Sequence, residues 1–227
     1  MIRSYLPALL FVLATFSNAQ DVTVRGVVNV LHHSKSKSGS ADVVVWLTST
    51  STRETVSPGP PVRLLQKNKQ FTPHMLAVTA GTAVEFPNRD PFFHDVFSIY
   101  RGKPFDLGLY ESGVTRKVRF SEPGVSYIFC NIHPEMSAVV VALATPHFTV
   151  SARDGSFQIS QVPPGRYKLQ VWYELASESE LASLSREFEV SSGDNTLSPM
   201  TLHSSDAPHD HLNKYGEPYP LDKQTTY

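Results

Sequence analysis

The chain has 227 residues, of which 41% are hydrophobic and 18% are charged, and its formal net charge at pH 7 is −1. This composition indicates a globular protein of one or two domains. The near-zero charge gives no reason to expect nucleic acid or an anionic membrane as a partner.

Residues 1–19 have the pattern of a signal peptide. Arg3 supplies the positive start, and residues 5–16 form an apolar stretch that is too short to span a bilayer. Ser17-Asn18-Ala19 presents the small residues that a signal peptidase reads. We therefore expect cleavage after Ala19 and an exported, periplasmic protein with no membrane span in its mature form; an uncleaved anchor is the alternative.

The elements that follow are predicted to be strands. β-branched residues favour strands at Val22–Val28 and Val43–Leu47, and residues 48–61 are rich in Ser, Thr and Pro, as surface connections are. Residues 62–145 contain a series of short strand signals separated by glycine turns. These strands are predicted at Val62–Leu65, Met75–Val78, Thr82–Phe86, Val96–Ile99, Thr115–Phe120, Tyr127–Cys130 and Ser137–Leu143. The pattern predicts an all-β fold with a Greek-key sandwich.

Residues 130–136 (Cys-Asn-Ile-His-Pro-Glu-Met) hold the chain's only cysteine and connect two of these strands. They bring a thiolate, an imidazole and a thioether together on one short connection, and His94 is the candidate second imidazole. Such a set, His and Cys with a weakly held Met, is the ligand set of a mononuclear blue-copper site. Glu135 is a competing fourth ligand to Met136.

The single cysteine supports a metal site for a second reason. An exported chain with one cysteine cannot form an internal disulfide, and an unpaired thiol is a liability in an oxidising compartment. Holding Cys130 as a metal thiolate removes that liability.

The motif resembles that of the cupredoxins, the blue-copper family of plastocyanin, azurin and amicyanin. The C-x2-H-x2-M spacing is similar to the short ligand loop of amicyanin-like members, and residues 81–94 look like the strand and loop that deliver the first histidine. The resemblance covers about residues 62–144. It implies one type 1 copper ion, with His94, Cys130 and His133 as equatorial ligands and Met136 as the axial ligand.

Asp95 departs from this family pattern, because many relatives have Asn after the first histidine. In the family this position helps to tie the two ligand segments together through the cysteine sulfur. An ionised carboxylate near a thiolate is expected to favour Cu(II) and to lower the reduction potential.

Residues 146–203 carry a different pattern, D-G-x-F at residues 154–157 and P-P-G-x-Y at residues 163–167. This resembles the small β-sandwich modules called carboxypeptidase regulatory-like or transthyretin-like, which normally begin with a strand pair such as residues 22–28 and 43–47. The favoured interpretation is that residues 62–145 are inserted into such a module, formed by 20–61 and 146–203. Two consecutive domains are the alternative, and residues 175–186 fit a short helix or an extended loop equally well.

Residues 204–227 are polar and without periodicity, so a flexible tail is expected. The alternative is a low-affinity copper-collecting arm with His203, His209 and His211 as ligands.

The whole arrangement resembles proteins labelled methylamine-utilisation-like. It implies a carrier of single electrons rather than an enzyme, with redox partners that dock transiently near His133. The residues expected to surround that docking point are Pro91, Phe92, Phe93 and Pro134. The alternatives are a copper carrier or chaperone, and a partner-binding β-sandwich protein with a secondary copper site. An oxidase or nitrite reductase is disfavoured, because it would need further copper centres with additional paired histidines.

Overall fold

The computed structural model describes residues 21–32, 39–99, 102–205 and 211–219. The predicted signal peptide and its cleavage point lie outside these residues, as do His209 and the rest of 206–210 and 220–227 of the expected tail.

Within the described residues the chain forms seventeen strands and one helix, which confirms the predicted all-β fold class. The first eight strands are β1 (Val22–His32), β2 (Val44–Ser49), β3 (Val62–Arg63), β4 (Leu65–Lys67), β5 (Gln70–Thr72), β6 (Met75–Thr79), β7 (Ala83–Pro87) and β8 (His94–Ser98). The remaining elements are β9 (Phe105–Tyr110), β10 (Thr115–Arg119), β11 (Gly124–Cys130), β12 (His133–Leu143), β13 (Phe148–Val150), β14 (Ser156–Val162), β15 (Gly165–Trp172), α1 (Glu178–Leu184), β16 (Arg186–Val190) and β17 (Met200–Ser204).

Strands β3 to β12 form a sandwich around one apolar core. A five-stranded sheet has the order β6-β12-β11-β8-β9, a three-stranded sheet has the order β10-β7-β3, and β4 and β5 form a separate hairpin. Fully buried side chains such as Phe86, Ile128 and Val140 fill the space between the sheets. Cys130 and Met136 belong to the same buried cluster, so the candidate ligands lie at the edge of this core.

The strands before and after this sandwich pair with one another. One sheet has the order β14-β1-β17 and the other has the order β13-β2-β15-β16. Their shared core contains Val24, Leu47, Ile159, Leu169 and Leu202, all with 2% exposure or less. The strands before residue 50 and those after residue 147 thus meet in one pair of sheets, while residues 62–143 form another.

The two pairs of sheets are packed together through an apolar interface. Met75, Val139 and Val141 of the five-stranded sheet form one cluster with Val44 and Trp46 of β2. The five-stranded sheet is therefore covered on both faces. A doubly covered strand reads as a continuous apolar run, which explains why residues 139–143 show no alternation.

Several elements were not settled by sequence, among them the short strands β4, β5, β13, β16 and β17. The structure adds β9, whose Asp106 and Gly108 weakened the strand signal, and it resolves the ambiguous residues 175–186 in favour of helix α1. Ser177 caps this helix by accepting a hydrogen bond from the backbone N–H of Glu180. Since α1 has seven residues, no helix in the described part of the chain has the length and apolar character needed to cross a membrane.

A histidine joins the two pairs of sheets at their interface. His74, which precedes β6, lies 2.6 Å (Nε2 to Oε2) from Glu174, which follows β15. Its Nδ1 lies 3.1 Å from the carbonyl oxygen of Ser137. The hydrogen bond to Glu174 raises the pKa of His74 above its ordinary value of 6.5, against the lowering effect of burial, and the charge of Asp42 acts in the same direction as Glu174.

We predict that replacing His74 destabilises the fold in a pH-dependent way. Because the folded pKa is raised, the contribution of His74 is fully present below pH 6.5 and is lost as the pH rises through the folded value. In urea denaturation, His74→Gln should lower the free energy of unfolding at pH 6, by no more than about 1 kcal/mol for this partly exposed pair, and should lower it less at pH 9.

His203→Gln is the matched control, because His203 of β17 pairs with Glu180 of α1 and both residues follow the sandwich in the chain. An equal loss for His74→Gln at both pH values would contradict an electrostatic contribution.

Candidate metal centre

The turn between β11 and β12 brings two of the candidate ligands opposite each other. Cys130 is the last residue of β11, His133 is the first of β12, and the two are paired across a turn of Asn131 and Ile132. Sequence reasoning placed the start of this second strand at Ser137, so the strand begins four residues earlier than expected.

A bulge in β12 allows its pairing with β11 to continue as far as His133. The pairing register shifts between Phe129, which is opposite Ser137, and Cys130, which is opposite His133. Residues 134–136 therefore have no partners in the ladder, which accommodates the missing N–H of Pro134. Within this stretch His133 and Met136 are buried, whereas Pro134 and Glu135 are exposed.

Three donor atoms converge at this point. Cys130 Sγ lies 3.6 Å from His94 Nδ1 and 3.5 Å from His133 Nδ1, and the two Nδ1 atoms are 3.2 Å apart. His94 is the first residue of β8, whose Val96 and Phe97 pair with the end of β11. The sheet itself therefore brings His94 to Cys130 from 36 positions away in the sequence.

This triangle has the size of a metal site. Bonds of about 2.0–2.1 Å to nitrogen and about 2.3 Å to sulfur, at tetrahedral to trigonal angles, would separate the donor atoms by roughly 3.3–3.8 Å. The observed separations of 3.2, 3.5 and 3.6 Å lie at or near this range. Two imidazoles and a thiolate are donors that suit copper, so the residues present fit one copper ion.

Asp90 fixes the orientation of His94. Its Oδ2 lies 2.9 Å from His94 Nε2, and both side chains are almost fully buried. The backbone N–H groups of Asn68 and Lys69 donate to the same carboxylate, and these interactions outweigh burial and lower the pKa of Asp90. An ionised Asp90 accepts a hydrogen bond from Nε2–H, so the lone pair of His94 is on Nδ1, facing Cys130.

The environment favours neutral imidazoles at the centre. Burial lowers the pKa of His94, although Asp90 acts in the opposite direction. Burial also lowers the pKa of His133, and the charge of His94 adds to this effect. Neutral rings offer the lone pairs that a metal ion requires.

The thiol of Cys130 is the group that must lose a proton on metal binding. Burial raises its pKa, while hydrogen bonds from the backbone N–H groups of Asp95, Ile132 and His133 act in the opposite direction. These three donors are positioned to stabilise a thiolate once a metal ion has displaced the proton.

Phe92 and Ile132 define the surface above the centre. The ring of Phe92 lies 5.4 Å from the rings of both His94 and His133, and His133 itself is 9% exposed. Phe93 and Ile132 are 48% and 44% exposed, so two large apolar side chains face solvent next to the ligands. Sequence reasoning identified Phe92 and Phe93 but missed Ile132, which lies in the turn between two ligands.

The two tail histidines with described positions, His203 and His211, do not add to this centre. Among the residues with described positions, His94, Cys130 and His133 form the single group of three or more His, Cys, Asp or Glu side chains with converging donor atoms. His203 bonds to Glu180, and His211 bonds to the carbonyl oxygen of Pro134. Residues 211–219, which the sequence placed in a flexible tail, lie against the turn between Cys130 and His133.

Sequence reasoning also missed Asp90. A carboxylate four positions before a candidate histidine ligand is the signal that could have identified it, since buried metal-bound histidines usually donate their second N–H to such a group.

Comparisons with known proteins found relatives only among solved structures. No protein-family model and no curated protein matches the chain. A purple cupredoxin from Nitrosopumilus maritimus is 23% identical with a TM-score of 0.33, and the match covers 36% of this chain and 99% of that one. Amicyanin from Paracoccus versutus is 19% identical with a TM-score of 0.33, and covers 43% and 97%. A copper-containing nitrite reductase from Thermus scotoductus is 23% identical with a TM-score of 0.35, and covers 52% of this chain but only 28% of the reductase. The structural neighbours are thus cupredoxins and a copper enzyme, at low similarity.

We predict that Asp90→Asn weakens metal binding. An amide cannot hold the Nε2–H of His94 as an ionised carboxylate does, so the affinity for Cu(II) should fall about 10- to 100-fold in a competition titration with a chelator. Asp154→Asn is the matched control, because Asp154 occupies an exposed turn before β14. Equal affinities for Asp90→Asn and the wild type would show that the fold alone orients His94.

Proposed function

We propose that this chain is a type 1 copper protein that carries single electrons between redox partners. The observation that supports it most is the convergence of Cys130 Sγ, His94 Nδ1 and His133 Nδ1 within 3.2–3.6 Å of one another at the edge of a buried core. When bound there, copper would supply the one-electron chemistry by cycling between Cu(I) and Cu(II).

The protein's contribution is a site that changes little between the two oxidation states. Cu(I) and Cu(II) prefer different geometries, so a flexible site would rearrange at each transfer. Here one ligand begins β8, one ends β11 and one begins β12, and all three strands belong to one sheet. The backbone ladder therefore fixes the spacing of the donors, and the sulfur ligands stabilise Cu(I) while the imidazoles serve both states.

Met136 is the proposed axial ligand. It is fully buried and shares the core cluster of Cys130, whereas Glu135 beside it is exposed. Sequence alone left Glu135 as a competitor, and this difference in burial is the reason to prefer the thioether.

Electrons are proposed to enter and leave through the ring edge of His133. His133 is 9% exposed, and two exposed apolar side chains, Phe93 and Ile132, lie one position from a ligand in the sequence. A small apolar patch of this kind suits weak, transient docking of redox partners, whose interfaces are small. A protein that only exchanges electrons in this way is not an enzyme.

The proposed compartment is the periplasm. The signal-peptide pattern of residues 1–19 supports this, and so does the presence of a single cysteine that cannot form an internal disulfide. Cys130 is free and buried, so it gains protection from oxidation as a metal ligand.

We also propose that residues 62–145 are inserted into a flanking module formed by 20–61 and 146–203. The strand pairing supports this: β1 pairs with β14 and β17, and β2 pairs with β13 and β15. Each of these ladders joins the part of the chain before the sandwich to the part after it.

The copper-carrier alternative depended on histidines in the tail. The two tail histidines with described positions are engaged elsewhere, His203 with Glu180 and His211 with Pro134. Absorption, EPR and voltammetry of copper-loaded protein separate the two functions. A copper carrier would hold Cu(I) and stay colourless in air, and that result would contradict electron transfer.

We predict that Cys130→Ser abolishes the charge-transfer colour. The intense absorption of a type 1 site needs the thiolate sulfur, so the copper-loaded variant should lose the visible band and show a wider copper hyperfine splitting in EPR. Zinc-loaded wild-type protein is the colourless control. A Cys130→Ser protein that remains blue would overturn the assignment of Cys130.

We predict that Met136→Gln keeps copper and lowers the reduction potential, because a harder oxygen ligand favours Cu(II). Cyclic voltammetry measures the shift. Glu135→Gln is the neighbouring control and should leave both spectrum and potential close to those of the wild type. The opposite result, a change in Glu135→Gln and none in Met136→Gln, would assign Glu135 as the axial group.

A further inference from the structure

Residues 211–219, here called the strap, are folded against the turn that carries Cys130 and His133. The strap has its own hydrogen-bonded core around Asn213, whose Oδ1 accepts from the backbone N–H groups of Tyr215 and Glu217 at 2.9 and 3.0 Å. Asn213 is only 9% exposed. The segment is therefore an ordered part of the site's surroundings.

Three strap residues contact the backbone or side chains of the ligand turn. The hydroxyl of Tyr219 donates to the carbonyl oxygen of Cys130 at 3.0 Å, and the backbone N–H of Lys214 donates to Asn131 Oδ1 at 3.1 Å. The His211 ring is stacked on Phe129, which precedes Cys130, with centroids 3.9 Å apart. The strap thus contacts the end of β11 and the turn at three points.

The side chain of Lys214 is directed at a carboxylate next to the metal site. Its Nζ lies 2.8 Å from Asp95 Oδ2 and 3.0 Å from Asp106 Oδ2, with the lysine side chain 14% exposed. Burial would lower the pKa of Lys214, but its hydrogen bonds to Asp95 and Asp106 raise it overall, so the ammonium is charged at neutral pH. The Asn131 side-chain amide also donates to Asp95 Oδ2, at 3.2 Å, whereas Asp95 Oδ1 is buried without a hydrogen-bond partner in the described chain. Lys214 is the cation in contact with this carboxylate.

Asp95 is in turn connected to the thiolate. Its backbone N–H donates to Cys130 Sγ, and its carbonyl oxygen accepts from the backbone N–H of Asn131 at 2.8 Å. The hydrogen bond holds residue 95 next to the sulfur, so a negative charge on the Asp95 side chain acts on the site by proximity. The sequence predicts that this charge lowers the reduction potential, and the structure adds Lys214 as the partner of the charge.

We propose that Lys214 sets the reduction potential of the copper site by neutralising Asp95. Residue 214 is thus a positioning residue that acts through Asp95 rather than a ligand, and the inference rests on the proposed electron-transfer function. A positive charge beside Asp95 favours Cu(I), and its loss leaves the carboxylate uncompensated in favour of Cu(II).

The test compares four copper-loaded full-length variants by spectroelectrochemistry. Lys214→Gln should shift the ratio of reduced to oxidised protein at a fixed potential toward the oxidised form, about threefold to tenfold for one uncompensated charge near the ion. Lys214→Arg should restore the wild-type ratio. The double variant Lys214→Gln with Asp95→Asn should return close to the wild type, since both charges are then absent.

Lys117→Gln is the matched control for a lost lysine. Lys117 pairs with Glu85 at 3.0 Å in the three-stranded sheet, which contains none of the ligands. It should leave the ratio unchanged.

The outcomes separate charge from structure. If the strap matters only by holding the turn, the double variant will shift as far as Lys214→Gln or further, and the inference is overturned. Equal ratios for Lys214→Gln and the wild type overturn it as well, while a visible one-electron couple in both proteins leaves the proposed function intact. A wild-type protein without a one-electron couple overturns both.

A measurement on metal-free protein checks the contact itself. The backbone N–H of Lys214 is bonded to Asn131, and that of Gly216 is bonded to Asn213. Hydrogen exchange of these amides should be slow in the wild type and faster in Lys214→Gln. Unprotected strap amides in the wild type would remove the basis of the inference.

Discussion

The packing of β11 and β12 between two apolar layers is the constraint on which the metal centre depends. Residues 138–143 are almost fully buried because the sandwich core covers one face of their sheet and the flanking sheets cover the other. A one-residue slip would exchange the two faces, and register is therefore strongly specified. That register places Phe129 opposite Ser137, and the bulge that follows places Cys130 opposite His133. The pairing of β8 with the end of β11 then brings His94 to Cys130.

A centre built in this way carries a desolvation cost. Three polar donors are buried together, and burial shifts the pKa of each toward its neutral form. The surroundings reduce this cost by hydrogen bonding. Asp90 accepts a hydrogen bond from His94, and backbone N–H groups donate to the sulfur of Cys130. A metal ion completes the compensation by satisfying all three donors at once, so binding and stability of this region are coupled.

The sequence predicted those parts of the structure that depend on local pattern. The only cysteine, its C-x2-H-x2-M spacing and the apolar runs on each side pointed to Cys130, His133 and Met136, with His94 as the candidate second imidazole. The structure brings His94, Cys130 and His133 together. The start of β12 at His133 and the bulge after it could not be predicted, because Pro134 and Glu135 carry no strand signal and their placement depends on pairing with β11. Asp90 and Lys214 were missed for a related reason, since each acts through a contact made by the tertiary fold.

The strap shows how a distant segment becomes part of a site without supplying a ligand. An aspartate beside a metal thiolate would be unfavourable if it stood alone, because its charge opposes the thiolate in a poorly solvated place. Lys214 balances that charge from a position 119 residues further along the chain (214 − 95). Since the same segment also contacts the backbone of Cys130 and Asn131, the charge is held at a fixed distance from the sulfur. The electrostatic environment of the ion is in this way a property of the complete fold and cannot be derived from the ligand motif.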